Sequence, residues 1–287
     1  MKTVTIIGMG LIGGSLGMAI KNKDLAEKVI GVARSKEHLE EAKKKGALDE
    51  YTIDAVEASK DADLIFVTTP MNIIASTVKT IAGVTKKGCI ITDAGSSKAS
   101  IVEEIERSIS SDVHFIGGHP MAGTEHQGIR AATKFLLEGA NYVLTPTGKT
   151  NPEALEKLKV FLSALDVNIV VMEPKMHDLA VAGISHMPLA VAVALVNTIN
   201  DLETGKEEML KVAASGFRDT TRIAAGNIDM GKDMFTTNKA AVLEMIEKFK
   251  SSLNKLEHLI KEGNTEKITK ELERAKDLRI KMYAANS

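Results

Sequence analysis

A short β-branched run, TVTII (Thr3–Ile7), leads straight into GMGLIGGS, where Gly8, Gly10 and Gly13 stand in the spacing G-x-G-x-x-G. Few stretches restrict a fold as tightly. The first glycine serves a tight turn out of a strand, the second lets backbone approach a pyrophosphate, and the third packs a helix closely on that strand. The chain must then supply the helix and a parallel neighbour strand about 30 residues on. KVIGVA (28–33) stands where that strand is needed. Free N–H groups at the helix start, in the turn of Leu11 and Ile12, favour the negative charge of a bound phosphate.

The same grammar continues. DLIFVT (63–68), GCIITD (88–93), VHFIG (113–117), NYVLT (141–145) and VNIVVM (167–172) read as strands. SKEHLEEAKKKG (35–46) and NPEALEKLKVFLSAL (151–165) read as helices between them. Alternation of this kind predicts an α/β domain over residues 1–172, with a mainly parallel, doubly wound sheet of the Rossmann type. Beyond Met172 the strands stop and Pro174 can open a helix, so residues 173–287 are expected to form an all-α domain. MPLAVAVALV (Met187–Val196) is apolar all round and predicts a helix buried on every side. Val242, Ile246, Phe249, Leu253, Leu256 and Ile260 form a heptad-like seam, Gly263-Asn264 a stop, and a last helix starts near Thr265. A helical domain with such surfaces is expected to make a homodimer.

Composition excludes several functions. A net charge of -1, 3% aromatic residues and no Trp argue against a nucleic-acid partner. The single cysteine, Cys89, cannot form an intramolecular disulfide and reads as a packed apolar residue. Five glycines in the first 20 residues fit a strand and turn better than a signal peptide. The longest apolar run falls short of the roughly 18 residues of a membrane span, so no membrane partner and a cytoplasmic location are expected. No His, Cys, Asp and Glu cluster has metal-ligand spacing, and no metal is expected.

An NAD site usually places Asp or Glu about 20 residues beyond the glycines, on the ribose 2′-OH. Here that position is Ala33, followed by Arg34 and Ser35. A cation and a hydroxyl suit a 2′-phosphate, so NADP is expected over NAD.

Ligands of doubly wound folds bind beyond the carboxyl ends of the strands. Thr69 and Pro70 lie at one such end, Asp93 and Ser96 at the next, and His119 and Glu125 beyond a third. Thr69, Pro70 and Asp93 are expected beside the cofactor. FIGGHP (115–120) reads as a strand entering a tight, bare-backbone turn that presents the His119 imidazole. His186 in GISHMP, with Arg218 and Arg222 in GFRDTTR, could close over these ends from the helical domain. The arginines are four apart, on one face of a helix, and read as an anion clamp. His114, His126, His177 and His258 read as ordinary histidines.

GMGLIGGS, DAGSSK, GGHPMAGTE, SHMP and GFRDTTRIA, in this order, resemble the prephenate/arogenate dehydrogenase family of tyrosine biosynthesis, from Val4 to the C-terminal helices. The resemblance implies oxidative decarboxylation of a cyclohexadienol, prephenate or arogenate. Hydride leaves C4 of the ring for nicotinamide C4, CO2 departs from C1, and the ring becomes aromatic. It implies that His119 accepts a hydrogen bond from the ring hydroxyl, and that Ser96 bonds the same hydroxyl and helps fix the imidazole. Arg222 would bind a substrate carboxylate with Arg218 in support, while His186 and Glu125 would gate or flank the substrate.

Two positions depart from the family pattern. Many members read SHxPH where this chain has Leu189, and many carry Trp where it has Gly231. Gly231 is expected to leave room beside the substrate side chain. Loss of a potential cation at Leu189 leans toward an arogenate-accepting or relaxed enzyme. No appended regulatory domain is expected. Two other readings stand beside this one. A two-domain reductase of the β-hydroxyacid dehydrogenase type would want a catalytic lysine on the helical domain; a nicotinamide-sensing protein would bind without turnover.

Overall fold

The computed structural model describes residues 1–110, 112–124 and 126–284. The glycine fingerprint sits where its chemistry demands. Strand β1 (Thr3–Ile7) ends at Gly8, and helix α1 (Leu11–Asn22) begins after Gly10. There follow β2 (Lys28–Val32), α2 (Lys36–Lys44), β3 (Glu50–Thr52), α3 (Ala55–Ser59), β4 (Leu64–Val67), α4 (Met71–Ala82), β5 (Ile90–Asp93) and α5 (Ala99–Glu106). The sheet is completed by β6 (His114–Pro120), β7 (Asn141–Thr145) and, after α6 (Pro152–Ser163), β8 (Asn168–Val171).

The eight strands lie in the order β3-β2-β1-β4-β5-β6-β7-β8. All neighbours are parallel except β6 and β7. The sheet therefore reverses at β6, the strand that carries His119. Central strands are buried on both faces and so lack alternation; β4 (LIFV) is wholly buried. Leu16, Ile20, Leu39, Phe66 and Leu158 fill one face, and Ile65, Val78, Ile81, Ile91 and Ile105 the other. Strand β3 escapes a reading by sequence pattern because it is an edge strand of three residues, too short to show a period.

FIGGHP corrects one expectation. Gly117, Gly118, His119 and Pro120 are strand residues, paired antiparallel with β7, and His119 stands opposite Val143. Neither glycine has a positive φ. Their role is contact: a Cβ on Gly117 would lie 2.4 Å from Thr145 Oγ1, and one on Gly118 2.7 Å from Asp93 O.

The helices after β8 are α7 (Pro174–Val181), α8 (Met187–Asn200), α9 (Lys206–Val212), α10 (Ser215–Thr221), α11 (Ile228–Thr237), α12 (Lys239–Glu262) and α13 (Thr265–Ala284). The chain divides into two compact units, Met1–Lys239 and Ala240–Ser287. Within the first, α7 packs on α5 and β7. Within the second, Lys255 and Glu271 pair across 2.5 Å, while Leu253, Ile260, Leu272 and Leu278 are exposed.

Helix α8 corrects a second expectation. Only Ala192 of its residues is buried, although Met187–Val196 is apolar all round. Such a surface calls for cover, and the described residues leave most of it only half-buried. A π-type turn (Ala182–His186) joins α7 and α8 into one 27-residue helical stretch, Pro174–Asn200, whose most apolar 18-residue window has mean hydropathy 2.1. By length and composition that stretch could cross a membrane, which the apolar run alone did not suggest. Its buried His177, Asp178 and His186 nevertheless bond protein groups, which suits a helix seated in a folded protein.

Candidate active site

At the cofactor end, Gly8 has φ +107°, and a Cβ there would meet Thr68 O at 2.6 Å. A Cβ on Gly13 would lie 1.9 Å from Gly8 O, so only glycine lets α1 rest on this turn. Gly10 is different. Among the described residues a Cβ there would meet nothing within 4 Å, and no side chain caps the helix start. The first-turn N–H groups of α1 thus adjoin open space bounded by bare backbone, the cradle a pyrophosphate needs. Thr69 Oγ1 is buried without a hydrogen-bond partner among the described residues, and Pro70 opens α4 beside it. These features fit a dinucleotide.

At the end of β2, Arg34 is exposed and has no ion pair among the described residues. Ser35 caps α2: its hydroxyl accepts from His38 N at 3.3 Å and donates to Glu37 Oε2 at 2.6 Å. That donation is the main reason the Glu37 carboxyl is held below its usual range.

Asp93 turns inward instead of toward a cofactor. Its carboxylate is fully buried, accepts from Gly95 N at 2.8 Å and Gly118 N at 3.1 Å, and pairs with Lys98. Lys98 Nζ also donates to Gly118 O at 2.9 Å. Burial pushes the Lys98 amine down, with Asp93 opposing. The pair ties the ends of β5 and β6 together, and with no exposed surface Asp93 cannot touch a ligand. The sequence pattern could not reveal this, because a strand-end carboxylate looks the same whether it faces in or out.

His119 projects from β6 into a chain of polar side chains. Its Nδ1 lies 2.8 Å from His177 Nε2, and the rings meet edge to face with centroids 5.1 Å apart. His177 Nδ1 lies 2.9 Å from Asp178 Oδ1. Asp178 also accepts from the backbone N–H groups of Lys98 (2.6 Å) and Ala99 (2.9 Å), at the start of α5. Reading His177 as ordinary is therefore a correction: it is buried and bonded to the imidazole that the sequence singled out. The adjacent pair His177-Asp178 was its only signal, and a weak one. Burial first, then the neighbouring His177, Lys98 and His186, hold His119 well below the usual histidine range. The ring is neutral at neutral pH.

His186 belongs to the same network. Asn238 Nδ2 donates to the Asp178 carbonyl at 2.8 Å, which identifies it as the amide nitrogen, and lies 3.2 Å from His186 Nδ1. Nδ1 of His186 is thus an acceptor and its ring proton sits on Nε2. That Nε2 is buried without a partner among the described residues. Burial pushes the His186 imidazole down to about 4, so it offers a neutral donor.

The other expected residues are less tightly held. Ser96 is half-buried, and its hydroxyl lies 3.7 Å from the Met71 thioether, a weak acceptor. Arg218 is exposed and bonds Asp219 at 3.1 Å. Arg222 is exposed, opens a short 3-10 segment (Arg222–Ala225) after α10, and has no ion pair among the described residues. The arginines are thus not on one continuous α-helix, although α8 packs against both segments. Glu125 lies outside the described residues. The room expected at Gly231 is taken: a Cβ there would lie 3.3 Å from Leu189 Cδ2. The two departures are neighbours, and the leucine occupies the space that the glycine leaves.

Comparison with known proteins bears on the whole chain. The family model described as prephenate dehydrogenase, nucleotide-binding domain, matches residues 16–171, and that described as prephenate dehydrogenase, dimerization domain, matches residues 173–274. Prephenate dehydrogenase of Bacillus subtilis is 34% identical over 279 residues, covering 96% of this chain and 75% of that protein. The crystal structure of Aquifex aeolicus prephenate dehydrogenase with hydroxyphenyl propionate and NAD+ has a TM-score of 0.92 at 31% identity, over 98% of each chain. Synechocystis arogenate dehydrogenase has a TM-score of 0.87 at 35% identity, over 98% of this chain and 99% of that one.

Proposed function

The chain belongs to the prephenate dehydrogenase family, and from that premise we propose a residue-by-residue account of its reaction. The chain is a nicotinamide-dependent oxidoreductase that oxidatively decarboxylates a cyclohexadienol. The β-hydroxyacid dehydrogenase and sensor readings give way to it. One observation carries the account: a neutral imidazole, His119, with Nδ1 tied to His177, leaves its other nitrogen for a substrate.

Bound nicotinamide supplies the hydride acceptor. His119 Nε2 takes the ring-hydroxyl proton as the C4–O bond gains double-bond character and C4 gives up hydride. When the C1–carboxylate bond breaks and CO2 leaves, the electron pair aromatises the ring, and His119 returns the proton to the phenolate oxygen. Ser96, whose hydroxyl has only a weak partner among the described residues, turns to the same oxygen. Arg222 binds a substrate carboxylate; Arg218, already paired with Asp219, adds a weaker field. His186 donates from Nε2 to a substrate acceptor. Aromatisation supplies driving force, so the protein's main task is alignment.

For the cofactor the reading is NADP over NAD. Ala33 offers the ribose no carboxylate, and exposed Arg34 with the N-terminus of α2 offers a 2′-phosphate charge and N–H donors. The Ser35 hydroxyl is committed to His38 and Glu37, so Arg34 carries most of this recognition. Ala33→Asp should repel the 2′-phosphate and move preference toward NAD. A wild-type kcat/KM higher with NAD would reduce Arg34 to a loop cation.

For the substrate the reading is a relaxed or arogenate-leaning enzyme. Leu189 in place of a histidine and a neutral His186 leave little positive charge to repel an ammonium group. Measuring kcat/KM for arogenate and prephenate with NADP decides it. A prephenate preference above about 100-fold, roughly 2.7 kcal/mol of transition-state discrimination, would overturn this part. The half-buried apolar surface of α8 supports a homodimer in which a second copy completes its cover, and a cytoplasmic location completes the reading.

A further inference from the structure

We propose that His177 and Asp178 are positioning residues that lock His119 in the tautomer with its proton on Nδ1, keeping Nε2 bare toward the substrate. The inference deepens the reading above and rests on His119 being the group that meets the ring hydroxyl.

The logic runs inward from backbone to imidazole. Both Asp178 oxygens accept backbone N–H groups, Lys98 N on Oδ1 and Ala99 N on Oδ2. A carboxylate whose two oxygens both accept in this way offers His177 only an acceptor. The 2.9 Å bond to His177 must then be donated by His177 Nδ1–H. With its ring proton on Nδ1, His177 presents a lone pair at Nε2. The 2.8 Å bond between the rings must in turn be donated by His119 Nδ1–H. His119 is left with an acceptor at Nε2, the state a proton-accepting group needs before the reaction. Once Nε2 holds the substrate proton, the same chain sets the Asp178 charge behind the imidazolium. A carboxylate behind a catalytic imidazole acts in this way in hydrolases; here a second imidazole extends the reach from α7 to β6.

The fold makes the chain rigid. Asp178 is pinned through its carboxylate to α5 and through its carbonyl to Asn238, and His177 is 1% exposed. Rotation of the His177 ring would break both of its bonds inside a buried space.

The test uses the full-length enzyme with NADP, labelled with 15N-histidine, the His119 signals being assigned by their loss in His119→Asn. Long-range 1H–15N correlations on the wild type should place the ring proton on Nδ1 of His119. His177→Phe, which keeps a ring but removes the acceptor, should release that preference and lower kcat by about 10- to 100-fold with KM nearly unchanged. His177→Gln, whose amide oxygen can accept near the position of Nε2, should restore the tautomer and most of the rate. A wild-type proton on Nε2 of His119 overturns the proposal, whatever the variants do. So does a His177→Phe enzyme with normal kcat, or a His177→Gln enzyme as impaired as His177→Phe. If His119→Asn itself retains its rate, the reaction assignment fails instead, and the tautomer measurement identifies which of the two has gone.

Discussion

His119→Asn is expected to lower kcat by about 10²- to 10⁴-fold, the usual worth of a positioned acid–base group. Substrate affinity and the fold should survive, because the asparagine amide can still donate toward His177 Nε2. The pH dependence gives a second handle. Burial and the facing groups His177, Lys98 and His186 all depress the His119 pKa, while the Asp178 carboxylate stands behind His177. The active form is the neutral ring, so activity is lost only as pH falls below the ordinary histidine value of about 6.5, and the rate is level above it. In His119→Asn this acid limb should disappear from what activity remains. A variant with near-normal kcat would remove His119 from the mechanism.

Arg222→Ala should act on the other kinetic constant. A charge-assisted hydrogen bond to a carboxylate contributes about 1.5–3 kcal/mol, so KM should rise about 10- to 150-fold with kcat changed much less. Arg218→Ala should have a smaller effect, since that guanidinium already bonds Asp219. An unchanged KM with a collapsed kcat would show that Arg222 acts in the chemistry and not as an anion anchor.

Much of this molecule is legible in its sequence because its signals are local. A strand, the three fingerprint glycines and a helix lie within the first 22 residues; Gly8 and Gly13 have their reason in contacts that can be named, and Gly10 in the open space it leaves at the helix start. Periodicity likewise marks the change from strands to helices after β8. What escaped depends on partners far apart in the chain. Asp93 and Lys98 are close in sequence, yet the Gly118 backbone that completes their environment is 20 residues beyond Lys98. The His119 to His177 bond spans 58 residues. No spacing rule joins such pairs; the sheet reversal at β6 and the packing of α7 on α5 do. Gly117 and Gly118 mislead for a related reason. A glycine pair before proline looks like a turn, but here it admits neighbouring side chains and backbone against a central strand. The α8 surface escaped because hydropathy states that a face must be covered, not by which chain.

The most direct measurement follows reduced-cofactor absorbance and CO2 release together, with arogenate and with prephenate, for the wild type and His119→Asn. The expected result is one CO2 per reduced nicotinamide in the wild type, on at least one of the two substrates, with both signals lost in parallel in the variant. Cofactor binding without either signal on either substrate would contradict the account, as would reduction of the cofactor without loss of CO2.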